Sequence, residues 1–252
     1  MCEPLAFCRP VASDRGLTLM VGAILLVLSQ ATLAEPPVPS ARESADLPPP
    51  STHYMGREIA TTMHYLGAPW LVRESRQREE DCETLLEALD VRPGQVVCDL
   101  GCGNGFYSLQ LARLVGQQGS VLAVDIQPEM LSLLSHRAKQ QKVSNVRPIL
   151  GTPVDPRLPK HGVDLVLAVD VYHELAYPEQ MLRALRECLK PKGRLVLVEF
   201  RLEDPKVPIK LLHKMSKAQV LKEILPSGFE LVEQFDKLPW QHVMFFRVRQ
   251  AP

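Results

Sequence analysis

The stretch "VVCDLGCGNG", Val96–Gly105, decides the fold of this chain. A short apolar run, which predicts a strand, leads into a loop with glycines at positions 101, 103 and 105, and a helical pattern follows at once. A glycine-rich turn between a strand and a helix lets a ligand approach the backbone closely, and the helix N-terminus favours negative groups. The stretch therefore predicts a ligand site at the end of a first strand.

The details of this loop argue against a pyrophosphate ligand. The glycine spacing is GxGxG, and Phe106 stands where the dinucleotide pattern GxGxxG has its last glycine. Asp99 lies two residues before the first glycine, where a carboxylate would oppose a pyrophosphate and suit a cation. Asp125, at the end of the second predicted strand, is placed to accept hydrogen bonds from a ribose diol, a group that NAD shares with every adenosine ligand.

Apolar runs alternate with amphipathic segments from His53 onward. The predicted strands are "QVVCDL", "SVLAVD", "VRPIL", "VDLVLAVD" and "GRLVLVEF", and the predicted helices are "SRQREEDCETLLEAL", "GFYSLQLARLV", "PEMLSLLSHRAKQQ" and "PEQMLRALRECL". Because the strands are continuously apolar, we expect a parallel sheet covered on both faces. In the tail, Ser216 caps another helix with Gln219 as its reciprocal partner, and "FELVEQF" and "HVMFFRV" are close enough to pair antiparallel.

Four motifs in register resemble the class I S-adenosylmethionine-dependent methyltransferases. They are "VRPGQVVCDLGCGNG", "VLAVDIQPEML", "VDLVLAVDVYHEL" and "LKPKGRLVLVEF", and they cover Val91 to Phe200. The resemblance implies an α/β fold with a doubly wound, mostly parallel seven-stranded sheet and an antiparallel last strand. It also implies S-adenosylmethionine as cofactor, with Asp125 and Ile126 at the ribose. The methionine part would lie on the loop residues Asp99, Gly101, Cys102, Gly103, Asn104 and Gly105.

The loop "GTPVD" departs from the pattern of that family. Thr152 and Pro153 stand where relatives often have an acidic residue for the adenine amino group and a backbone N–H for the ring, and proline has no N–H. Either Val154 makes the backbone contact and Asp155 binds the amino group, or adenine is held less specifically.

The segment "DVYHEL" supplies the candidate catalytic residues, because relatives often place substrate-facing residues after the fourth strand. His173 titrates near neutrality and is the candidate base, and Tyr172 and Glu174 are its candidate helpers. Asp170 is a candidate for the cofactor side. The alternatives are a turn cap for Asp170, packing for Tyr172 and a structural hydrogen bond for His173. "HELAY" is no HExxH metalloprotease motif, since Tyr177 replaces the second histidine.

Two further segments are predicted to surround the acceptor. Lys206, Lys210, His213 and Lys214 would form a basic wall that favours an anionic substrate, unless they belong to a solvated loop. The segment His53–Ser75 is predicted either to cover the cofactor as a lid or to pack against the edge of the sheet.

Composition restricts the partners. The chain has 252 residues with 29 basic and 29 acidic side chains, so nucleic acid is not expected as a partner. Cys82, Cys98, Cys102 and Cys188 fit neither a disulfide scaffold nor a zinc pattern, and no metal site is predicted. Cys98 and Cys102 are predicted to be buried packing residues, and a redox pair is the alternative. No oligomeric state follows from the sequence.

The N-terminus is predicted to be a targeting segment. Residues 1–34 combine early arginines, an uncharged run from Gly16 to Leu28 and a small-residue cleavage site after Ala34, as in a signal peptide or an uncleaved membrane anchor. Residues 35–52 are a proline-rich linker predicted to be disordered, and 53–252 form the methyltransferase domain. An exported or anchored protein is expected, or a cytoplasmic one if translation starts at Met55.

The predicted function is S-adenosylmethionine-dependent methyl transfer to a small-molecule acceptor by in-line displacement. A non-catalytic S-adenosylmethionine-binding protein on the same fold is the main alternative, because an exported protein would meet little of a cofactor made in the cytosol. A nicotinamide-dependent oxidoreductase is disfavoured by Phe106 and Asp99.

Overall fold

A computed structural model describes residues 48–250 of the chain. The predicted signal peptide or anchor, 1–34, and the predicted linker up to residue 47 lie outside the described residues. The last linker residues lie on the domain: Ser51 N–H donates to Ala176 O at 3.1 Å, and Tyr177 Oη donates to Pro48 O at 2.8 Å. Within the described part, none of the helices is long and apolar enough to cross a membrane.

The elements follow the predicted order of strands and helices. The strands are β1 (His53–Tyr54), β2 (Arg57–Glu58), β3 (Val96–Leu100), β4 (Ser120–Asp125), β5 (Val146–Leu150), β6 (Val163–Val169), β7 (Leu189–Arg201), β8 (Lys214–Met215), β9 (Phe229–Phe235) and β10 (Gln241–Val248). The α-helices are α1 (Arg76–Glu80), α2 (Cys82–Ala88), α3 (Phe106–Val115), α4 (Pro128–Gln140), α5 (Pro178–Cys188) and α6 (Lys217–Ile224).

The central sheet confirms the predicted fold class. Its seven main strands lie in the order β5-β4-β3-β6-β7-β10-β9, and β10 runs antiparallel to both of its neighbours. The short strand β8, which the sequence did not predict, adds a parallel pair at the end of β7. Because β4 and β6 lie on opposite sides of β3, the chain reverses direction across the sheet at β3. This reversal places a crevice at the carboxyl ends of these strands.

Two large hydrophobic clusters cover the two faces of the sheet, and a smaller third one joins the glycine loop to β4 and α4. Successive residues of a strand enter different clusters, so Val97 packs against α2 and α3 while Cys98 packs against α5. All four described cysteines are free and buried, and burial raises the pKa values of the Cys98 and Cys102 thiols. Such inert thiols agree with packing and not with a redox pair.

Two local predictions were wrong in detail. The predicted helix "SRQREEDCETLLEAL" is broken at Asp81, whose φ is +49° and whose carboxylate accepts a hydrogen bond from Thr84 N–H at 3.3 Å, so that a new helix begins there. Ser216 does cap α6 by accepting from Gln219 N–H at 3.1 Å. The side chain of Gln219 is not its reciprocal partner, because its amide donates to Glu223 at 2.7 Å.

Candidate functional site

A cavity of about 810 Å³ opens at the carboxyl ends of β3, β4, β6 and β7. This volume lies near the upper end of the roughly 300–1,000 Å³ of small-molecule sites. The wall contains seven of the predicted site residues, which are Gly101, Gly103, Asp125, Ile126, Asp170, His173 and Glu174. The predicted residues Asp99, Cys102, Asn104, Gly105, Asp155 and Tyr172 lie outside the wall.

The glycine loop forms the floor of the cavity with its backbone. Gly101 has φ of +67°, and a Cβ there would lie 2.5 Å from Val171 Cγ2. Gly103 has φ of +52°, and a Cβ there would lie 2.5 Å from Leu71 Cδ1. The left-handed conformation favours glycine at both positions, and at Gly101 the close approach of the branched Val171 side chain also excludes a larger residue. Cys102 is buried behind the loop, where its N–H donates to Val124 O at 2.9 Å.

Asp99 and Asn104 support the loop from behind. Ser108 Oγ donates to Asp99 Oδ2 at 2.5 Å, and burial raises the pKa of this carboxyl to about 6. Asn104 Nδ2 donates to Ala68 O at 2.9 Å, which joins the loop to the N-terminal segment. Gly105 has φ of +81° and is the N-cap of α3.

Asp125 faces the cavity with part of its acceptor capacity unused. Its Oδ2 accepts from Gly103 N–H and its Oδ1 from Gln127 N–H, each at 2.9 Å. A carboxylate offers about four lone-pair positions, so two remain for a ligand. Burial raises the pKa of Asp125. Ile126 is 42% exposed beside it and presents an apolar side chain to the cavity.

In the "GTPVD" loop, the groups predicted to bind adenine are not directed into the cavity. Thr152 and Pro153 line the cavity, while Asp155 Oδ1 accepts from Arg157 N–H at 2.7 Å and lies outside the wall. The N–H of Val154 is directed at Thr152 Oγ1 at 3.4 Å. The first arrangement that the sequence left open, with the Val154 N–H and Asp155 at the adenine, is not formed by these groups as they stand. The second, in which adenine is held less specifically, stays open.

Asp170 occupies a strained position at the end of β6. Its φ is +54°, a left-handed conformation that costs a non-glycine residue about 1–2 kcal/mol. Gln241 Nε2 donates to Asp170 Oδ2 at 2.7 Å, and Oδ1 has no hydrogen-bond partner among the described residues. Burial, followed by the charges of Glu80 and Glu199, raises the pKa of this carboxyl well above its usual value. A cationic ligand group would offset that unfavourable environment.

The "DVYHEL" residues divide between the cavity and the interior. Tyr172 Oη donates to Glu223 Oε2 at 2.9 Å, and this buried contact with α6 gives Tyr172 a structural position. His173 is 1% exposed, its Nδ1 lies 2.6 Å from Glu199 Oε2, and its Nε2 lies 3.1 Å from His213 Nδ1. Burial lowers the pKa of His173, but Glu199 and Glu174 outweigh burial and raise it.

Three charged and buried residues at or next to the site were not singled out from the sequence. Arg76 Nε donates to Glu80 Oε2 at 2.8 Å, and both side chains line the cavity. Glu199 is fully buried in β7. The sequence did contain a signal for Glu199, because a carboxylate inside the apolar run "LVLVEF" must find a partner. The run "RQREE" contains no comparable signal for Arg76 and Glu80.

The predicted basic wall is only partly present. Lys210 and His213 line the cavity, whereas Lys214 is buried and its Nζ donates to Val207 O at 2.5 Å and Asp204 O at 3.2 Å. Lys206 lies outside the wall.

Comparison with known proteins identifies the family. Residues 92–242, more than half of the chain, match the protein family described as "Methyltransferase domain". The chain belongs to the class I S-adenosylmethionine-dependent methyltransferases. The cofactor of this methyltransferase is S-adenosylmethionine, as predicted.

Curated relatives of the methyltransferase match over part of their length. The chain is 34% identical over 116 residues to the ubiquinone/menaquinone biosynthesis C-methyltransferase UbiE of Azotobacter vinelandii, which covers 46% of each chain. It is 32% identical over 152 residues to UbiE of Yersinia enterocolitica, covering 59% of this chain and 58% of that one. The methyltransferase therefore spans about half the length of the curated relatives that it matches.

Solved structures share the fold of the methyltransferase. An S-adenosylmethionine-dependent methyltransferase from Aquifex aeolicus has a TM-score of 0.70 at 23% identity, over 73% of this chain and 98% of that chain. The [4+2]-cyclase SpnF has a TM-score of 0.57 at 16% identity, over 68% of this chain and 82% of that chain. The fold therefore occurs in proteins named for different reactions, and the reaction must be argued from the site.

Proposed function

We propose that this methyltransferase transfers the methyl group of S-adenosylmethionine to a small-molecule acceptor. The observation that carries the proposal is one continuous cavity, which begins at the glycine loop and Asp125 and reaches the polar group His173, Glu174 and His213. Bound S-adenosylmethionine supplies an electrophilic methyl carbon on a sulfonium. Everything else is orientation, closure and removal of water, which the chain provides.

The wall has partners for the ribose and for the methionine part of the cofactor. The unused lone pairs of Asp125 suit a ribose diol, and the glycine backbone at 101 and 103 leaves room for the methionine part. The unpartnered Oδ1 of Asp170 suits the amino group, and the buried guanidinium of Arg76 suits the carboxylate. In this proposal Asp99, Cys102, Asn104 and Gly105 hold the loop in shape without touching the ligand.

The N-terminal segment closes this cavity as the proposed lid. Residues of the segment that line the wall are Thr61, Thr62, Met63, Trp70 and Leu71. The segment is held at both ends of the cavity, since Gln127 Nε2 donates to Met63 O at 2.9 Å and Ala60 N–H donates to His173 O at 3.2 Å. Closure over the cofactor excludes water, which strengthens the electrostatic interactions inside.

The acceptor is proposed to be a mainly apolar small molecule with one ionisable group. Apolar side chains surround the end of the cavity near His173, and they include Leu175, Tyr177, Phe200, Pro208 and Ile209. His173, which Glu199 orients, would contact the ionisable group. The wall contains the basic residues Arg76 and Lys210 and the four acidic residues Glu80, Asp125, Asp170 and Glu174, so it does not favour a strongly anionic acceptor. The UbiE relatives are named as C-methyltransferases of ubiquinone/menaquinone biosynthesis, which agrees with an apolar acceptor.

Calorimetry with S-adenosylmethionine tests the cofactor part. Asp125→Ala should weaken binding at least about 10-fold, because a buried charge-assisted pair of hydrogen bonds is lost. Asp164→Ala is the matched control, since Asp164 also accepts a backbone N–H, from Val96 at 2.8 Å, and lies outside the cavity wall. Absence of heat with the wild type, or equal weakening by the two variants, would refute the site.

A screen with methyl-labelled cofactor against a metabolite extract tests the reaction. We expect label in a small organic product, and none when heat-denatured protein is used. Tight cofactor binding with no labelled product from any extract would instead support the non-catalytic alternative.

The exported location stays a proposal based on residues 1–34. N-terminal sequencing of protein from separated cell fractions should find a chain that starts at Glu35 outside the cytosol, or an intact chain in the membrane. An intact Met1 in the soluble cytosol would contradict the proposal.

A further inference from the structure

Three side chains converge at the acceptor end of the cavity. Among the described residues, His173, Glu174 and His213 form the group in which possible metal-ligand atoms all lie within 4.8 Å of one another. His173 Nε2 is 3.1 Å from His213 Nδ1, and Glu174 Oε1 is 3.9 Å and 3.8 Å from these two nitrogens. The separation of 40 residues between the histidines explains why no sequence motif revealed the group.

The three distances match the dimensions of a metal site. A point equidistant from atoms separated by 3.1, 3.8 and 3.9 Å lies about 2.1 Å from each of them. Zinc binds histidine nitrogen at about 2.0–2.1 Å and carboxylate oxygen at about 2.0–2.2 Å. The spacing therefore leaves room for an ion at bonding distance from all three atoms.

Glu199 holds the first histidine in the orientation of a ligand. Its Oε2 lies 2.6 Å from His173 Nδ1, and it is fully buried. When Nδ1–H donates to this carboxylate, the lone pair of Nε2 is directed at the group. A carboxylate behind a metal-binding histidine is the usual arrangement in proteins and raises the basicity of the imidazole.

We propose that His173, His213 and Glu174 bind a divalent transition-metal ion of the zinc or iron type. Two imidazoles and one carboxylate suit such ions, whereas magnesium and calcium prefer oxygen ligands alone. Three protein ligands leave coordination positions open, and all three residues line the cavity. If the proposed function holds, the ion lies between His173 and the ionisable group of the acceptor, and its open positions select an acceptor with an ionisable oxygen or sulfur. The metal site itself rests on the geometry alone.

Cobalt and zinc titrations of the untagged full-length protein test the proposal. The protein is first treated with chelator and dialysed. We expect one equivalent of Co²⁺ to produce visible absorption bands, and Zn²⁺ to displace it. His213→Ala should weaken Co²⁺ binding at least about 100-fold, and Glu199→Gln, which removes the charge behind His173, about 10–100-fold.

Matched controls separate this site from adventitious binding. Lys206→Ala changes an exposed lysine of the same segment that lies outside the wall, and His161→Ala removes an exposed histidine outside the wall, whose Nδ1 lies 3.4 Å from Leu189 O. Neither should change the Co²⁺ affinity. His213 is 31% exposed, so His213→Ala should keep the fold, and circular dichroism verifies this. Glu174→Gln provides a second ligand variant.

The outcomes distinguish this proposal from the proposed function. No Co²⁺ bands, or bands that survive His213→Ala and Glu174→Gln unchanged, would overturn the metal site. Calorimetry with S-adenosylmethionine on the same samples reports on the cofactor site independently. Cofactor binding without metal binding refutes only the metal site.

Discussion

Gly101→Ala should destabilise the protein by an amount that the loop geometry predicts. The left-handed backbone, with φ of +67°, costs an alanine about 1–2 kcal/mol. The new methyl group would lie 2.5 Å from Val171 Cγ2 and 2.8 Å from Val171 Cγ1, and overpacking of this kind costs about 1–3 kcal/mol. Together these effects predict a loss of roughly 2–5 kcal/mol in the free energy of unfolding.

Urea and thermal unfolding of the full-length variant measure this loss. For a chain of this size, about 1 kcal/mol corresponds to roughly 2–4 °C, so the unfolding midpoint should fall by roughly 4–20 °C. The affinity for S-adenosylmethionine should fall as well, because Gly101 lies in the cavity wall.

Gly94→Ala separates the backbone effect from the steric effect. Gly94 has φ of +85°, and a Cβ there would meet nothing within 4 Å, so only the backbone cost of about 1–2 kcal/mol is expected. Val171→Ala in the Gly101→Ala background should recover the steric part of the lost stability. The wild type, Gly101→Ala, Val171→Ala and the double variant form a double-mutant cycle that measures this coupling. Equal losses in Gly101→Ala and Gly94→Ala, or no coupling with Val171, would show the steric argument to be wrong.

Three other predictions concern the lid and the buried charges. Arg57 donates to Glu223 at 2.7 Å and 3.1 Å, so Arg57→Ala leaves the charge of a buried carboxylate uncompensated. Urea unfolding should show a destabilisation of about 3–5 kcal/mol. The double variant Arg57→Met, Glu223→Gln, which removes both charges, should lose less stability. Burial raises the pKa of Asp99 to about 6, so the folded state holds its proton more tightly than the unfolded state. The free energy of unfolding of the wild type, measured relative to that of Asp99→Asn, should therefore fall by roughly 3 kcal/mol as pH rises from about 4 to above 6. A difference between the two proteins that does not change with pH would contradict this. Asn104→Ala should increase amide hydrogen exchange in Tyr65–Val72, because the bond to Ala68 O is lost, with little change in exchange of the central strands.

The strands and most helices could be predicted because their signals are local. The run Ser120–Asp125 has the predicted bounds in the structure, since an apolar stretch between turns has no other stable place than the sheet. The break at Asp81 could not be predicted, because one left-handed residue changes no hydrophobic period. The antiparallel pair at the C-terminus followed from a loop too short for a crossover.

The candidate site was predictable only where it lies on those strand ends. Asp125 is the last residue of β4 and the glycine loop follows β3 directly, so the position of the cavity followed from the motif order. His213 meets His173 because β8 pairs with the end of β7, a contact that neither local sequence contains. Tyr172 faces α6 for the same reason, since its partner Glu223 is 51 residues away.

The ion pair between Arg57 and Glu223 ties the order of synthesis to the anchoring of the N-terminal segment. The two residues are 166 positions apart, and Arg57 also donates to His173 O at 2.9 Å. At about 5–20 residues per second, a ribosome needs roughly 10–30 seconds to make the chain between them. During that time the nascent chain already contains the other partners of the N-terminal segment, Asn104, Gln127 and His173, but it lacks the partner of Arg57. The charge of Arg57 therefore stays without its carboxylate until α6 has been made, near the end of translation.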